Sequence, residues 1–233
     1  MLEEREKQSK FGGIAFYISL LVLSCLAGFN LFMLPWIYDP ERRGFLLYFF
    51  GMFLVGVWIA RSFVKGRISI FIHELKHSIV SNLVGNRAKR LKVKDKSGYF
   101  AYEYTVRTAH MNAFIALAPY YFPLATIAIL IPALLFAFKN HLLLALALGV
   151  GQGIDYALNA KDISPHQTDF SELRGGFFIG LLYVLIANLF LSSLALVWLC
   201  GGSQAFLFLP KALGALIIKL GYSQGVEFGA FLP

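Results

Sequence analysis

The amino-acid sequence predicts an all-α polytopic membrane protein with about five to six apolar helical segments and a small β-hairpin. Hydrophobic residues make up 58% of the 233-residue chain, and the mean hydropathy is +0.67. Charged residues account for only 15%, against about 25% in soluble domains. Several apolar runs also approach the roughly 20 residues that a helix needs to cross a bilayer. We therefore expect one integral membrane domain over residues 1–233.

Net charge and cysteine content argue against a nucleic-acid partner and against a role for the two cysteines in disulfides or metal binding. The chain carries a formal net charge of +8, but its basic residues lie in short stretches between apolar runs, as in the loops of membrane proteins. This distribution does not indicate a nucleic-acid partner. Cys25 and Cys200 lie within or at the end of apolar runs and belong to no CxxC motif. Neither a disulfide framework nor a cysteine metal site is expected.

The first two spans are predicted at residues 11–36 and near the start of residues 45–84. The first apolar run is too long for a signal peptide and lacks a small-residue cleavage site, so we expect a retained span. Within the second segment, Arg61, Lys65 and Arg67 interrupt the apolar pattern before it resumes in a further helix. That helix could be a continuation, a kinked extension or a partly inserted helix.

A β-hairpin is predicted over residues 88–107. Aromatic and β-branched residues occur on both sides of the turn signal Asp-Lys-Ser-Gly at residues 95–98. The preceding stretch is strongly basic, which favours a topology signal in contact with anionic lipids. Its cationic residues are Arg87, Lys89, Arg90, Lys92, Lys94 and Lys96.

Two further apolar runs follow, at residues 111–138 and 141–158. Kinks are expected in the first of them because it contains three prolines. Tyr120 in the same run is interpreted as an interfacial anchor. The prolines are Pro119, Pro123 and Pro132.

The last part of the chain contains a polar loop and two apolar stretches. The loop covers residues 159–170, and a span begins at Gly175-Gly176 and ends near Cys200. Residues 201–233 are apolar with few charges. We favour an interfacial or re-entrant tail there, with a sixth crossing as the alternative.

The distribution of Lys and Arg predicts the topology. With a cytoplasmic N-terminus and a helix at residues 68–84 that enters and leaves on the cytoplasmic side, fifteen basic residues are cytoplasmic and three lie opposite. The positive-inside rule favours this arrangement. The fifteen are Arg5, Lys7, Lys10, Arg61, Lys65, Arg67, Arg87, Lys89, Arg90, Lys92, Lys94, Lys96, Arg107, Lys161 and Arg174; the three are Arg42, Arg43 and Lys139.

The helix at residues 68–84 contains an HExxH motif, His73-Glu74-Leu75-Lys76-His77. Two histidines at positions i and i+4 of a helix lie on the same face, so both imidazoles can reach one zinc ion. Glu74 follows the first histidine and can take a proton from a zinc-bound water. The motif therefore predicts one catalytic Zn²⁺ near the cytoplasmic side, with His73 and His77 as ligands and Glu74 as the catalytic base.

A catalytic zinc ion normally has a third protein ligand. No histidine follows at the position that an HExxHxxGxxH motif would require. Asp169 is our choice because irregular backbone at membrane depth is expected to line a cavity or site. Asp155, an ionisable residue in an apolar run, comes second, and His166 third. The remaining candidates are Glu103, His110, His141, Asp162 and Glu172.

These features resemble the site-2 protease family of intramembrane zinc metalloproteases. The resemblance covers about residues 68–170 and rests on HELKH, its apolar surroundings and a second motif, which in the family reads NxxPxxxLDG and supplies an aspartate ligand. The corresponding stretch here begins at Asn159 and ends with Asp169, where Gln-Thr-Asp-Phe replaces Leu-Asp-Gly. Lys76 occupies a position where the family often has glycine. The chain looks like a compact, divergent member without a PDZ domain.

The expected function is hydrolysis of a peptide bond in or near the transmembrane segment of a membrane-anchored protein. The predicted hairpin is either simply packed or offers an edge to which an unwound substrate can add as a strand, with Tyr102 and Tyr104 as substrate contacts. Two alternatives stay open. One is another integral-membrane zinc peptidase with Glu172 or Glu103 as third ligand, and the other is a non-enzymatic metal-binding transporter or scaffold, although no internal repeat supports the latter.

Overall fold

A computed structural model describes residues 12–94, 97–103, 105, 107–137 and 139–223. Predictions for Tyr104 and for residues 1–11, 95–96 and 224–233 fall outside the described residues. The helices are α1 Ile14–Ile37, α2 Arg43–Phe63, α3 Arg67–Leu83, α4 Asn112–Tyr121, α5 Leu124–Ala137, α6 His141–Asp162, α7 Thr168–Ser171 and α8 Gly176–Ser223. The strands are β1 Arg87–Val93 and β2 Gly98–Glu103, and short 3₁₀ turns occupy Pro40–Arg42 and Ala109–Met111. The predicted all-α fold with one small hairpin is confirmed.

Four helices in the described residues are long and apolar enough to cross a membrane, or up to five spans if a bent pair is counted as one. The four are α1, α2 with the turn before it, α6 and α8. The chain is therefore a membrane protein. Its orientation and its cytoplasmic face stay predictions.

The segment predicted at residues 45–84 is divided into two helices. α2 ends at Phe63, and α3 begins at Arg67 after Gly66, whose φ of +56° is a conformation that glycine adopts most readily. α3 is not among the candidate spans. It ends at Leu83, and Gly85 with a φ of +85° follows, as expected for a helix C-terminus.

The run at residues 111–138 is not one kinked helix. α4 and α5 are bent by 72° at a break around Pro123. The Asp155 carboxylate stabilises the start of α5 because it accepts hydrogen bonds from the backbone N–H groups of Ala125 and Thr126, at 3.1 and 2.8 Å. The other two prolines at which kinks were expected, Pro119 and Pro132, lie inside α4 and α5.

The predicted polar loop at residues 159–170 is shorter than expected. α6 continues to Asp162, so Asn159 and Asp162 lie on its last turn, and α7 carries Asp169. The helix can continue because Pro165 lies beyond its end, where proline cannot remove one of its hydrogen bonds. The connection between α6 and α7 is therefore bounded by a helix at each end.

Three glycines allow α2 and α6 to pack with their backbones in contact. A Cβ atom added at Gly153 would overlap the carbonyl oxygen of Phe53, and one at Gly149 would overlap that of Phe49. Gly56 makes the corresponding close approach to Val150. Small residues at such spacing are typical of close helix packing in membranes.

Gly153→Ala is expected to destabilise the protein by about 1–3 kcal/mol, because the added methyl group overpacks the α2–α6 contact. Gly51→Ala is the matched control, since a Cβ there meets nothing within 4 Å. Thermal unfolding in detergent should show a lower midpoint for Gly153→Ala and an equal or higher one for Gly51→Ala. Equal midpoints for the two variants would contradict the close packing.

α8 packs along α1 and changes direction near its middle. The Asn30 amide donates a buried hydrogen bond of 2.9 Å to the Ser193 hydroxyl. Gly202 interrupts the helix with a φ of +64°, and beyond it Ala205 and Leu209 pack against Met33 of α1. The part of the tail that the structure describes is therefore helical, and its interfacial position stays a prediction.

The hairpin is antiparallel, with Val93 opposite Gly98 and Arg87 opposite Glu103. Its second strand is shorter than the sequence pattern indicated, since β2 ends at Glu103. Both strands contact α3. The hairpin therefore lies directly against the helix that carries the HExxH motif.

Candidate metal centre

The HExxH histidines and Asp169 converge at one point. Both histidines lie on one face of α3 with ring centroids 5.1 Å apart. The Asp169 Oδ2 atom lies 3.4 Å from His73 Nε2 and 3.7 Å from His77 Nε2. One ligand atom from each of the three residues lies within 4.8 Å of the others. α3 and α7 thus bring two imidazoles and one carboxylate together.

The donor set fits a zinc ion. Two ligand atoms bound about 2.0–2.1 Å from a tetrahedral ion are separated by roughly 3.4 Å, which is close to the two distances to Asp169 Oδ2. Two histidines and one carboxylate are also a known ligand set for catalytic zinc. His73, His77 and Asp169 can therefore hold the ion with a fourth position left for water.

Hydrogen bonds orient both imidazoles towards this point. His77 Nδ1 donates to the carbonyl oxygen of Ile115 at 2.7 Å, which leaves Nε2 free to bind a metal. His73 Nδ1 lies 3.2 Å from Asp162 Oδ2, so Nε2 again faces Asp169. Metal-binding histidines usually have such a partner on the second ring nitrogen. Asp162, one of the alternative ligands, thus contacts the opposite side of the His73 ring.

Asp169 is held by its neighbours in α7 and α4. The Tyr120 hydroxyl donates a hydrogen bond of 2.9 Å to Asp169 Oδ2. The adjacent Phe170 is fully buried, and its ring packs 4.7 Å from that of Tyr120. Tyr120 therefore positions the carboxylate, and its interpretation as an interfacial anchor is wrong. Sequence analysis offered no signal for this contact, since the two residues are 49 positions apart.

Most other candidate ligands lie elsewhere. Asp155 forms an ion pair with Lys76 at 3.3 Å, and Glu103 pairs with Lys89 on the hairpin. Glu172 lines the same cavity as the histidines. His166 lies in the turn before α7, while His141 is at the start of α6 and far from its end at Asp162.

A cavity of about 420 Å³ adjoins the three ligands and includes Glu74. Glu74 is only 8% exposed, and burial raises the pKa of its carboxyl group, although His77 and His73 oppose the shift. A carboxyl group with a raised pKa accepts and returns a proton more readily near neutral pH. Glu74 thus lines the cavity beside the three ligands with a carboxyl group whose pKa is raised.

The hairpin forms one wall of this cavity through residues 98–102. A Cβ atom at Gly98 would lie 2.7 Å from Glu74 Cγ, so a larger residue there would displace the Glu74 side chain or its neighbours. Tyr102 lines the cavity, and its hydroxyl donates to Asn112 Oδ1 at 3.3 Å. One edge of β2 pairs with β1, and in the described part of the chain its other edge pairs with no strand.

The carboxylates of Asp162 and Asp169 next to His73 favour a positive charge at the ligand cluster. Burial alone would lower the pKa of His73, but hydrogen bonds to Asp162 and Asp169 raise it to about 9. Burial would raise the pKa of Asp169, but His73 and His77 hold it well below its usual range. Without a metal, a proton on His73 therefore balances the Asp169 charge.

Zinc affinity is expected to increase by about tenfold per pH unit between about pH 6 and 8. His73 must lose its proton before Nε2 binds a metal, and its pKa of about 9 lies above this range. Competition with a metal-sensitive dye would measure the dissociation constant at each pH. A constant that is independent of pH would contradict the described pairing of His73.

Lys76 fixes the HExxH helix in the bundle. Its side chain is 1% exposed, and the ammonium group donates to Asn159 Oδ1 at 2.8 Å and to the carbonyl oxygen of Pro119 at 3.3 Å. Together with the Asp155 ion pair, these contacts join α3 to α4 and α6. Sequence analysis treated Lys76 only as a departure from the family pattern.

Lys76→Met is expected to lower the free energy of unfolding by about 3–5 kcal/mol, because it leaves Asp155 buried without its cation. Adding Asp155→Asn should recover part of this loss. Lys92→Met, an exposed change on β1, should stay within about 0.5 kcal/mol. Denaturant unfolding in detergent would measure all three, and wild-type stability in Lys76→Met would contradict the role of the pair.

Comparison with protein-family models, curated proteins and solved structures found no match. The site-2 protease resemblance therefore depends on the motif residues themselves.

Proposed function

We propose that the protein is an intramembrane zinc metalloprotease that hydrolyses a peptide bond in or near the transmembrane segment of a membrane-anchored protein. The observation that carries this proposal is the convergence of His73, His77 and Asp169, within 4.8 Å of one another, beside Glu74. The apolar helices around this cluster and the resemblance of its motifs to the site-2 protease family support a substrate within the membrane.

The residues of the cluster have distinct roles in this proposal. His73 and His77 would hold zinc through Nε2, and Asp169 through Oδ2. When bound, zinc would lower the pKa of a water molecule and polarise the scissile carbonyl group. Glu74 would accept the proton of the attacking water and transfer it to the leaving amine. Asp162 and the Ile115 carbonyl group would keep the two imidazoles oriented.

The substrate would bind in an extended conformation along β2. Proteolysis needs an unwound backbone, and an added strand would satisfy its N–H and C=O groups in an apolar environment. The cavity wall at residues 98–102 supports this mode of binding, as does the edge of β2 that pairs with no other strand among the described residues. Tyr102 would contact the substrate there. The positive-inside pattern supports a cytoplasmic position for the site.

A second zinc peptidase arrangement has one observation in its favour. Glu172 lines the same cavity, so a glutamate could complete the ligand set in place of Asp169. The chemistry of Glu74 would be unchanged. The two arrangements differ only in the residue whose loss removes the metal.

Reconstitution of the purified chain with single-span protein substrates in liposomes tests the proposal. We expect about one zinc ion per chain, cleavage within or beside the substrate span, inhibition by 1,10-phenanthroline and recovery after zinc is added back. Protein that retains no zinc at neutral pH, cleaves no substrate and carries metal across the vesicle membrane would instead favour a transporter.

A further inference from the structure

The end of α6 remote from the metal cluster adjoins an apolar cavity of about 540 Å³. α6 runs from His141 to Asp162, so His141 lies about 32 Å along the helix from Asp162, which contacts His73. Six leucines from α5, α6 and α8 line the cavity: Leu130, Leu134, Leu144, Leu148, Leu191 and Leu194. Lys139 and His141 line it as well, at the connection between α5 and α6.

A second, more open groove of about 890 Å³ adjoins the same connection. Phe45, Leu135, Phe136 and Leu142 supply its large apolar side chains. Lys139 and His141 are the two residues that line both the cavity and the groove. Two apolar volumes thus meet at one basic pair.

Aromatic contacts fix the position of the basic groups. The His141 ring lies 6.4 Å from Phe45 and 6.1 Å from Trp198, measured between centroids. The Arg42 guanidinium group lies over the same two rings, at 5.0 and 5.5 Å. Arg42 also donates to the carbonyl oxygens of Leu199 and Trp198. A positive charge is therefore held over Phe45, which lines the groove, and over Trp198, which lines the cavity.

This concentration of charge is unusual for its side of the protein. Under the predicted topology only Arg42, Arg43 and Lys139 lie on this side between residues 11 and 200. Of these, Arg42 lies over the rings of Phe45 and Trp198, and Lys139 lines both volumes. Two of the three basic residues predicted on this side therefore lie at or next to the two apolar volumes.

We propose that this end of the bundle binds an anionic glycerophospholipid. The phosphate group lies beside Lys139 and His141 with Arg42 nearby, one acyl chain fills the 540 Å³ cavity, and the second follows the groove. From His141 to Gln152 at the inner end of the cavity, α6 rises about 16 Å. This depth matches one leaflet, which is half of the roughly 30 Å hydrocarbon core.

A zwitterionic lipid can fill the same apolar space but gains less from the basic residues. One Lys or Arg near a membrane surface favours anionic lipid by about fivefold. Selectivity for net negative charge, together with a requirement for the acyl chains, is therefore the signature of this site. It is separate from the contact expected between anionic lipids and the basic residues of the hairpin.

The test uses the full chain in a neutral detergent, with dioleoyl phosphatidylglycerol and dioleoyl phosphatidylcholine as probes. Native mass spectrometry would measure binding, and thermal unfolding would measure stabilisation. We expect phosphatidylglycerol to bind at least about fivefold more tightly than phosphatidylcholine. Inorganic phosphate and glycerol phosphate should not reproduce its stabilising effect, because they lack acyl chains.

Variants separate this site from general surface charge. Lys139→Gln should reduce the preference for phosphatidylglycerol by about fivefold, and Leu134→Trp, which fills the cavity from α5, should weaken binding of both lipids. Arg43→Gln removes the same charge on the same side, and among the described residues Arg43 lines neither volume. Equal binding of the two lipids, an equal loss in Arg43→Gln, or full stabilisation by free phosphate would overturn the proposal.

Discussion

Glu74→Gln is expected to reduce the rate of peptide cleavage by about 10²–10⁴-fold while the protein keeps its zinc and its fold. The glutamine side chain has nearly the same shape as glutamate but cannot accept a proton from the attacking water. Burial and the adjacent Gly98 leave little room for a replacement base, because Glu74 is only 8% exposed. Cleavage of a reconstituted single-span substrate would be followed with time, alongside zinc content and thermal stability.

Glu103→Gln provides the matched control for this experiment. Glu103 carries the same functional group and pairs with Lys89 on the hairpin, at the end of β2. Its replacement should leave the rate almost unchanged. A Glu74→Gln protein that cleaves at the wild-type rate would contradict the proposed mechanism, and one that loses zinc would make Glu74 a ligand instead of a base.

Asp169→Ala is expected to weaken zinc binding by more than about 100-fold, which exceeds the 10–100-fold loss typical when a residue that orients a ligand is removed. Asp169 Oδ2 is the atom that lies 3.4 and 3.7 Å from the two Nε2 atoms. Asp162→Ala removes only the partner of His73 Nδ1 and should therefore cost about 10–100-fold. Zinc content after dialysis and competition with a chelator would give the order of the variants.

Glu172→Ala decides between the two ligand sets. It should retain wild-type zinc affinity if Asp169 completes the site. A severe loss of zinc in Glu172→Ala, with normal binding in Asp169→Ala, would replace the aspartate by the glutamate. Either result leaves His73 and His77 as the other two ligands.

Local patterns predicted the helices, the hairpin and the HExxH geometry because each depends on residues close in sequence. The spacing of His73 and His77 fixes their common face on a helix. Asp162, one of the further candidate ligands, also lies near His73, and the carboxylates of Asp162 and Asp169 differ in the ring nitrogen that each approaches. Sequence carries no information on that difference, which depends on how α6 and α7 meet α3.

Contacts between distant residues explain the features that sequence analysis missed. Kinks were expected at three prolines in residues 111–138, and the break does lie at one of them, Pro123. The sequence did not indicate that the Asp155 carboxylate accepts hydrogen bonds from the first N–H groups of α5. The partner of Lys76 is likewise 79 positions away, in another helix. Such pairs depend on tertiary packing and have no local signature.

The contact between Gly98 and Glu74 links the hairpin to the helix that carries the HExxH motif. A Cβ atom at position 98 would lie 2.6 Å from Ile70 Cγ2 and 2.7 Å from Glu74 Cγ, so the neighbouring side chains would have to shift to admit it. The absence of a side chain at the first residue of β2 therefore sets how closely the hairpin approaches the HExxH helix. Packing at position 98 and the placement of the Glu74 carboxylate are coupled, although the two residues belong to different elements.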